Sequence, residues 1–170
     1  MKILKKTTHP KIDTLENKTI FQRKAARAIA LSGNLILLLY TKRYDDYSLP
    51  GGGVDEGESL ITGMTRELQE ETGAQNVRDI LEFGIYEEYR PWHKPDFDIM
   101  HMISYCYTCT VDEALGETSL EHYEVSNGMT PVWIDLDKAI AHNESVMAIS
   151  DKKGMSIERE TFLLRLIKKL

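Results

Sequence analysis

The sequence predicts an α/β fold: one domain over residues 1–170, with helices around a single mixed β-sheet. A chain of 170 residues is typical of one domain and is long enough for a sizeable core. Apolar runs of strand length recur at residues 25–31, 34–41, 77–89, 99–111 and 131–135. N-cap residues and apolar periodicity predict helices over 59–73 and 156–170, capped by Ser59 and Ser156, and a short helix at 136–142.

The composition is that of an ordinary globular protein, and it narrows the class of partner. The chain is 42% hydrophobic and 28% charged, with a formal net charge of −6. Because nucleic-acid duplexes and anionic membranes repel an acidic surface, we expect neither as a partner. An acidic protein can still take phosphate substrates, since a bound divalent cation supplies local positive charge.

The N-terminal segment is polar and of mixed charge, with Pro10 as a breaker. It predicts either a short edge strand around residues 18–21 or an arm over 1–21, and such an arm can serve dimerisation. Monomer and homodimer therefore both stay open. The segment lacks the apolar stretch of a signal peptide, and no apolar run reaches the ~20 residues that span a bilayer.

Two cysteines, Cys106 and Cys109, form a C-x-x-C pair on the predicted strand 99–111. An offset of three residues places them on opposite faces of a strand, which favours a structural role over zinc or redox chemistry. His101 on the same strand is expected to be packed or hydrogen-bonded. Without a disulfide framework, the expected compartment is the reducing cytoplasm.

A hairpin is predicted where Ser32 and Gly33 join the runs 25–31 and 34–41. Residues 35–39 (LILLL) are apolar throughout, which predicts a strand buried on both faces. A polar loop is expected at 42–48. The glycines at 51–53 then permit backbone conformations that let a carbonyl or amide approach a metal or phosphate.

The helix after these glycines carries a cluster of carboxylates. Gly73 fits its C-terminal stop, and the predicted buried stripe is Leu60, Ile61, Met64 and Leu68. At about 100° per residue, Glu67, Glu70 and Glu71 share about 100° of one helix face. Like charges at this spacing repel each other, whereas Mg²⁺ takes oxygen ligands and completes its shell with substrate phosphates. The cluster indicates a divalent-cation site, with a solvated acidic face as the alternative.

The spacing G-x5-E-x7-R-E-L-x-E-E-x-G within residues 51–74 resembles the Nudix box. Its fixed positions are filled by Gly52, Glu58, Arg66, Glu67, Leu68, Glu70, Glu71 and Gly73. Two departures concern packing only: Ala74 replaces a bulky aliphatic residue, and Tyr47 stands where tryptophan is frequent. The resemblance, to MutT-like and ADP-ribose pyrophosphatase-like members, implies an α/β/α sandwich with a core at about residues 22–143.

The resemblance also implies a function, which is hydrolysis of the pyrophosphate linkage in a nucleoside diphosphate attached to another group. The implied cofactor is Mg²⁺ or Mn²⁺, which neutralises phosphoryl oxygens and activates water. The implied metal ligands are Glu67, Glu70, Glu71 and the Gly51 carbonyl. Glu67 and Glu71 are also expected to be catalytic, with Glu58 orienting the loop or binding through water. Arg66 lies four residues before Glu70 and can anchor that carboxylate, and the resemblance gives this arginine the role of orienting the box glutamates.

In several members of that family, a glutamate outside the box acts as a ligand or general base. The acidic segment 112–128, predicted to be a loop, offers Glu117, Glu121 and Glu124. We favour Glu121 as the catalytic residue among the three.

Aromatic and basic residues around the predicted loop 90–98 are candidate substrate contacts. We single out Tyr89, Arg90 and Trp92, since aromatic faces stack on bases and an arginine can meet a phosphate. The alternative is that the aromatic residues fill the domain edge. The substrate stays open among nucleotide sugars, ADP-ribose and nucleoside triphosphates. Two other classes also stay open: a non-catalytic nucleotide sensor, and an isopentenyl-diphosphate isomerase, which would need Cys106 near the metal.

Overall fold

A computed structural model describes residues 1–151 and 153–170 of the chain. In this part the chain forms seven strands and four helices. The strands are β1 (Ile3–Thr8), β2 (Ile20–Ser32), β3 (Leu35–Thr41), β4 (Asp46–Ser48), β5 (Arg78–Pro91), β6 (Ile99–Thr110) and β7 (Met129–Asp135). The helices are α1 (Leu60–Thr72), α2 (His122–Asn127), α3 (Leu136–Ile149) and α4 (Ile157–Ile167). No helix in the described part is long and apolar enough to cross a membrane.

The strands form one mixed sheet in the order β1-β5-β6-β2-β3-β4, with β7 paired to β3. β2 joins the two halves of this sheet, because it pairs in parallel with β6 along most of its length and antiparallel with β3 at its last two residues. Helix α1 packs on one side of the sheet, and α3 and α4 pack together on the other. The predicted α/β/α sandwich around a mixed sheet is confirmed.

The run LILLL is buried on both faces from Ile36 to Leu39, as predicted, whereas Leu35 at its start is 36% exposed. Ile36 and Leu38 pack against α3 and α4, while Leu37 packs against Met64 and Leu68 of α1. Burying such a side chain fully contributes about 1.5–3 kcal/mol relative to leaving it exposed. The predicted helix stripe is wrong at Ile61, which is 46% exposed because it lies outside the arc that faces the sheet.

The edge strand lies at Ile3–Thr8 and not around residues 18–21, where Ile20 already begins β2. β1 pairs in parallel with β5, and its exposed, lysine-rich sequence gives little apolar pattern from which to predict it. Leu4 packs so closely on Gly84 that a Cβ there would come within 2.5 Å of Leu4 Cγ. The pairing of β5 with β6 also shifts register between Glu82 and Gly84.

Several segments predicted as loops or short helices are more regular than expected. The loop 42–48 contains β4, the loop 112–128 ends in α2, and β5 continues to Pro91 into the predicted loop 90–98. The helix predicted at 136–142 extends to Ile149 because the side chain of Asn143 bonds the backbone of Tyr47 at 2.9 Å and the helix continues to bury apolar residues.

The last helix begins after Ser156, but Ser156 has helical backbone angles and makes no side-chain cap bond. Glu160, in the first turn of this helix, is fully buried. Cys106 and Cys109 are free, buried and in opposite core clusters, as predicted. His101 is packed as expected, since its ring stacks on Tyr89 with centroids 4.3 Å apart.

Candidate active site

The glycine turn lies alongside β2 and is fixed to it by backbone hydrogen bonds. Ala28 N–H donates to the Pro50 carbonyl at 2.9 Å, and Ala26 N–H donates to the Gly52 carbonyl at 3.0 Å. Gly51 has φ +130°, and a Cβ at this position would come within 2.1 Å of the Ala26 carbonyl oxygen. Only glycine permits this close approach of the turn to the backbone of β2. The contact and the two hydrogen bonds together hold the turn rigidly.

Helix α1 aims its carboxylates at this turn. Its start is capped by Ser59 Oγ, which accepts from Thr62 N–H at 3.1 Å, and its end by Gly73 at φ 70°. Glu71 Oε2 accepts a hydrogen bond of 2.6 Å from Gly51 N–H. A Cβ on Gly52 would lie 2.5 Å from Glu67 Oε2, so the second carboxylate also rests against the turn.

Both carboxylates are held in an environment that disfavours an isolated negative charge. Burial raises the pKa of Glu71 to about 8, although the Gly51 N–H and Arg27 partly oppose that rise. Burial also raises the pKa of Glu67, against the opposing effect of Arg66. A divalent cation between such groups removes the cost of their ionisation.

The donor set fits Mg²⁺ or Mn²⁺, because it consists of carboxylate oxygens around a turn that only glycines allow. Within residues 1–151 and 153–170, no three acidic, histidine or cysteine side chains form a group that could hold a metal ion. Glu70 is the most accessible of the three box glutamates, with 45% of its side chain exposed. Mg²⁺ commonly takes only one or two protein carboxylates and completes its shell with water and phosphate.

Arg66 connects the helix to the turn. It binds Glu58 through two hydrogen bonds of 3.1 Å and donates to Glu67 at 2.8 Å and to Glu70 at 3.1 Å. It also donates to the Gly53 carbonyl at 3.2 Å. These bonds, first those to Glu58, raise its pKa above the ordinary value. The predicted contact between Arg66 and Glu70 is present, and Glu58 holds the arginine and the Asp55 N–H of the loop.

Arg27 is a site residue that the sequence did not suggest, because it lies within the apolar run 25–31. Its Nη1 donates to the Gly51 carbonyl, the atom expected to face a metal. Burial and then the charge of Arg159 lower its pKa, while Glu160 and Glu71 oppose that effect. Its Nε has no partner in the described part of the chain. In the sequence, the one indication of an inward-facing charge was a single arginine within an alternating apolar strand.

A cavity of about 510 Å³ opens beside the turn. Its walls include the box glutamate Glu71 and Glu124 from α2. Four arginines from three different elements also line it: Arg23, Arg27, Arg90 and Arg159. The cavity therefore combines a carboxylate end, suited to cations, with guanidinium groups suited to phosphate or carboxylate groups.

A buried charge network holds the far wall of the cavity. Arg159 of α4 donates to Glu88 and, at 2.7 Å, to Glu160, whose other oxygen accepts from Leu49 N–H at 2.9 Å. Arg90 donates to Glu88 at 2.5 Å, yet its Nε has no partner in the described residues. Burial alone would raise the pKa of Glu88, but Arg159 and Arg90 hold it below its usual value.

The three predicted substrate contacts do not converge. Arg90 lines the cavity, whereas Tyr89 points to the opposite face of β5 and stacks on His101. Trp92 borders a separate, neighbouring cleft. Part of the aromatic cluster thus fills the domain edge, which was the alternative.

The acidic segment places one of its three glutamates in the cavity. Glu124 is 3% exposed and lines the cavity, near enough to Glu71 to raise its pKa. Its oxygens accept from Glu121 N–H at 2.7 Å and from Tyr123 Oη at 3.1 Å. Glu121, the residue favoured from sequence, is exposed at the N-terminus of α2, and Glu117 is also exposed.

The model of the NUDIX domain family matches residues 22–153. The chain belongs to the Nudix family. A Nudix hydrolase from Nitrosomonas europaea superposes with a TM-score of 0.58 at 17% identity, over 88% of this chain and 91% of that one. A MutT Nudix hydrolase from Burkholderia pseudomallei gives 0.54 at 17% identity, over 83% and 96% of the two chains. At these identities the likeness shows the Nudix fold.

Curated relatives match over shorter stretches. An RNA pyrophosphohydrolase from Bartonella henselae is 41% identical over 49 residues, which are 29% of this Nudix chain and 28% of the relative. An 8-oxo-(d)GTP phosphatase from Mycolicibacterium smegmatis is 45% identical over 38 residues, 22% of this chain and 12% of the relative. The matched stretches therefore cover at most 28% of the length of these relatives.

Proposed function

We propose that the chain is a hydrolase that uses Mg²⁺ or Mn²⁺ to cleave the pyrophosphate linkage of a nucleoside diphosphate attached to another group. The observation that carries this proposal is the pairing of Glu71 and Glu67 with the glycine turn. One carboxylate bonds Gly51 N–H at 2.6 Å, and the other lies where a Cβ on Gly52 would be. The family and its named relatives support hydrolysis of a nucleotide as the reaction class.

The metal, when bound, neutralises phosphoryl oxygens and lowers the pKa of water. Glu67, Glu70 and Glu71 would hold it, and Arg66 keeps Glu67 and Glu70 in place through its bonds to both. The Gly51 carbonyl accepts a hydrogen bond from Arg27, so we assign this carbonyl a positioning role. Metal ligation by the carbonyl, which the sequence analysis predicted, is the alternative.

We assign proton acceptance from water to Glu124. It lines the same cavity as Glu71, and Tyr123 and the Glu121 N–H fix its two oxygens in position. Glu121, predicted as the catalytic glutamate, contributes its backbone N–H to that arrangement.

We assign binding of an anionic substrate group to the arginines of the cavity. Arg90 and Arg27 each have an unpaired buried Nε among the described residues, and an incoming phosphate oxygen would satisfy such a donor. Trp92 remains a proposed contact through its own cleft, and the stacking of Tyr89 on His101 supports a structural role for Tyr89.

The isomerase alternative is disfavoured by Cys106. That thiol is fully buried in the core behind the cavity, and burial raises its pKa to about 12. The two buried free cysteines support the cytoplasm as the compartment. A non-catalytic sensor remains the other candidate, although the full set of box glutamates favours catalysis.

A product screen tests the proposal. The protein is incubated with Mg²⁺ and ADP-ribose, nucleotide sugars, dinucleoside polyphosphates, and ordinary or oxidised nucleoside triphosphates, and products are separated by chromatography. We expect at least one substrate to yield a nucleoside monophosphate. No such product should form after chelation of the metal. Tight nucleotide binding without turnover across the panel would overturn the proposal in favour of a sensor.

A further inference from the structure

An aromatic cleft adjoins the cavity, and so far only its Trp92 has been proposed as a substrate contact. Its volume is about 450 Å³, close to that of the cavity itself. Phe21 lies between the rings of Trp92 and Phe97, with centroid separations of 5.1 and 5.5 Å. The residues that give the cleft its chemistry are three aromatic and three basic side chains: Phe21, Trp92, Phe97, Arg23, Lys24 and Lys94.

The loop that forms one wall of the cleft is fixed before any ligand arrives. Trp92 N–H donates to the Asp98 carbonyl at 3.1 Å, which closes the loop between β5 and β6. The Asp98 carboxylate accepts from Thr19 N–H at 2.8 Å, which ties the loop to the start of β2. The indole is oriented by its bond from Nε1 to Asp96 at 2.8 Å. A preorganised ring costs little entropy on binding.

The cleft and the cavity meet at Arg23 and Gly53, which line both. The Arg23 guanidinium lies against Gly53, where a Cβ would be 3.0 Å from Nη2. Gly53 in turn belongs to the turn that holds the box glutamates. A ligand with its diphosphate beside that turn would therefore lie next to residues of the cleft.

The charges of the cleft also favour a nucleotide. Arg23, Lys24 and Lys94 have no carboxylate partner among the described residues. The two acidic residues of the cleft already have partners, Asp55 with Arg66 at 3.8 Å and Asp96 with the indole of Trp92. Aromatic rings beside cations that lack a carboxylate partner match a base that carries phosphate.

We propose that this cleft binds the nucleobase of the substrate, with Phe97 and Trp92 as stacking platforms, while the arginine-lined cavity takes the group on the other side of the diphosphate. The proposal rests on the proposed function for the identity of the ligand. It assigns the base to the rim of the sheet instead of the deep cavity. Removing one stacking ring should then weaken nucleotide binding by about 5- to 150-fold.

Fluorine NMR of the full chain labelled with 5-fluorotryptophan tests this directly. The chain has two tryptophans, Trp92 and Trp133, so two signals are expected and a Trp133→Phe variant assigns them. We expect AMP to shift the Trp92 signal in a saturable way and leave the Trp133 signal in place. Ribose 5-phosphate, which lacks the base, should shift Trp92 far less at equal occupancy.

The stacking role is then tested by Phe97→Ala, chosen because Phe97 is already 36% exposed and its loss should leave the fold intact. We expect it to raise the Kd for AMP at least 5-fold, whereas Leu81→Ala, an equally apolar loss at a remote exposed position, should not. If AMP leaves Trp92 unshifted, or if Phe97→Ala binds AMP as wild type does, the cleft is not the base site. Binding is measured without turnover, so this outcome is separate from a failure of hydrolysis.

Discussion

The N–H of Gly51 donates to the carboxylate of Glu71 at 2.6 Å, and the carbonyl of the same glycine accepts from Arg27. One residue of the turn therefore connects a buried carboxyl group from α1 with a buried guanidinium group from β2. Because Gly51 requires φ +130°, this connection depends on glycine. These two hydrogen bonds keep the Glu71 carboxyl group fixed and the turn close to the cavity.

Gly52→Ala should impair metal use with little effect on folding. The new Cβ would lie 2.5 Å from Glu67 Oε2, and the flexible carboxylate can move away at low cost to stability. We expect kcat/KM to fall at least about 10-fold and the Mg²⁺ concentration for half activity to rise. The measurements are initial rates against Mg²⁺ and thermal unfolding.

Gly33→Ala is the matched control for that variant. Gly33 has φ +59° and open space around it in the hairpin of β2 and β3. It should lose about 1 kcal/mol of stability with unchanged activity. If the Gly52→Ala protein were stable and fully active, the contact between Glu67 and the turn would not be needed for function.

Arg66→Lys should lower activity although the charge is kept. Lysine cannot make the paired bonds to Glu58 while also reaching Glu67, Glu70 and the Gly53 carbonyl. We expect kcat to fall about 10- to 100-fold, as for loss of residues that orient metal ligands. Arg78→Lys, at an exposed pair with Asp112, should retain wild-type kinetics. Equal kinetics for both variants would contradict the connecting role of Arg66.

Glu124→Gln and Glu121→Gln separate the two candidates for the general base. Glu124 is buried in the cavity wall, and Glu121 is exposed. Glutamine at 124 keeps one oxygen that can accept from Glu121 N–H, and its amide group can donate to Tyr123 Oη, so folding should persist while kcat falls about 100-fold or more. Glu121→Gln should remain within about 2-fold of wild type. A severe loss only in Glu121→Gln would restore the assignment made from sequence.

Asp46→Asn should stabilise the protein in a pH-dependent way. Burial, together with Glu160, raises the pKa of Asp46 from 3.8 to about 6. The folded state then binds the proton more tightly than the unfolded state, so wild-type stability falls as the pH rises from about 4 to 6. The asparagine variant avoids that loss.

The expected gain for Asp46→Asn is about 1–2 kcal/mol at pH 8, below the ~3 kcal/mol that two pKa units imply, because the cavity is open to water. Near pH 4 the two proteins should have similar unfolding free energies. Denaturant unfolding at both pH values measures the difference. A difference of the same size at pH 4 and pH 8 would show that the charge of Asp46 is not its cause.

Local patterns in the sequence predicted much of the fold. The glycine turn, the caps of α1, the hairpin at Gly33 and the two-faced burial of residues 36–39 all follow from short-range rules, and the structure confirms them. The fixed spacing of the box brought Arg66 together with Glu58 and the glutamates.

Contacts between distant parts of the chain were the part that the sequence did not predict. Arg159 meets Glu88 across 71 positions, and Glu160 meets Leu49 across 111. Local rules therefore gave no sign that Glu160 is buried, and they assigned Arg27 to an ordinary apolar strand. Likewise, β1 is defined by β5 as its partner, not by its own pattern. Glu124 was distinguished from Glu121 only when α2 fixed which side faces the cavity.

Titration with Mn²⁺, followed by electron paramagnetic resonance, tests the central claim most directly. Wild type and Glu71→Gln are compared, because the amide keeps the size of the side chain and can still accept from Gly51 N–H. We predict that Glu71→Gln binds Mn²⁺ at least about 10-fold more weakly than wild type, at an unchanged melting temperature. Equal Mn²⁺ affinity in a folded Glu71→Gln protein would contradict the placement of the cation beside Glu71 and the glycine turn.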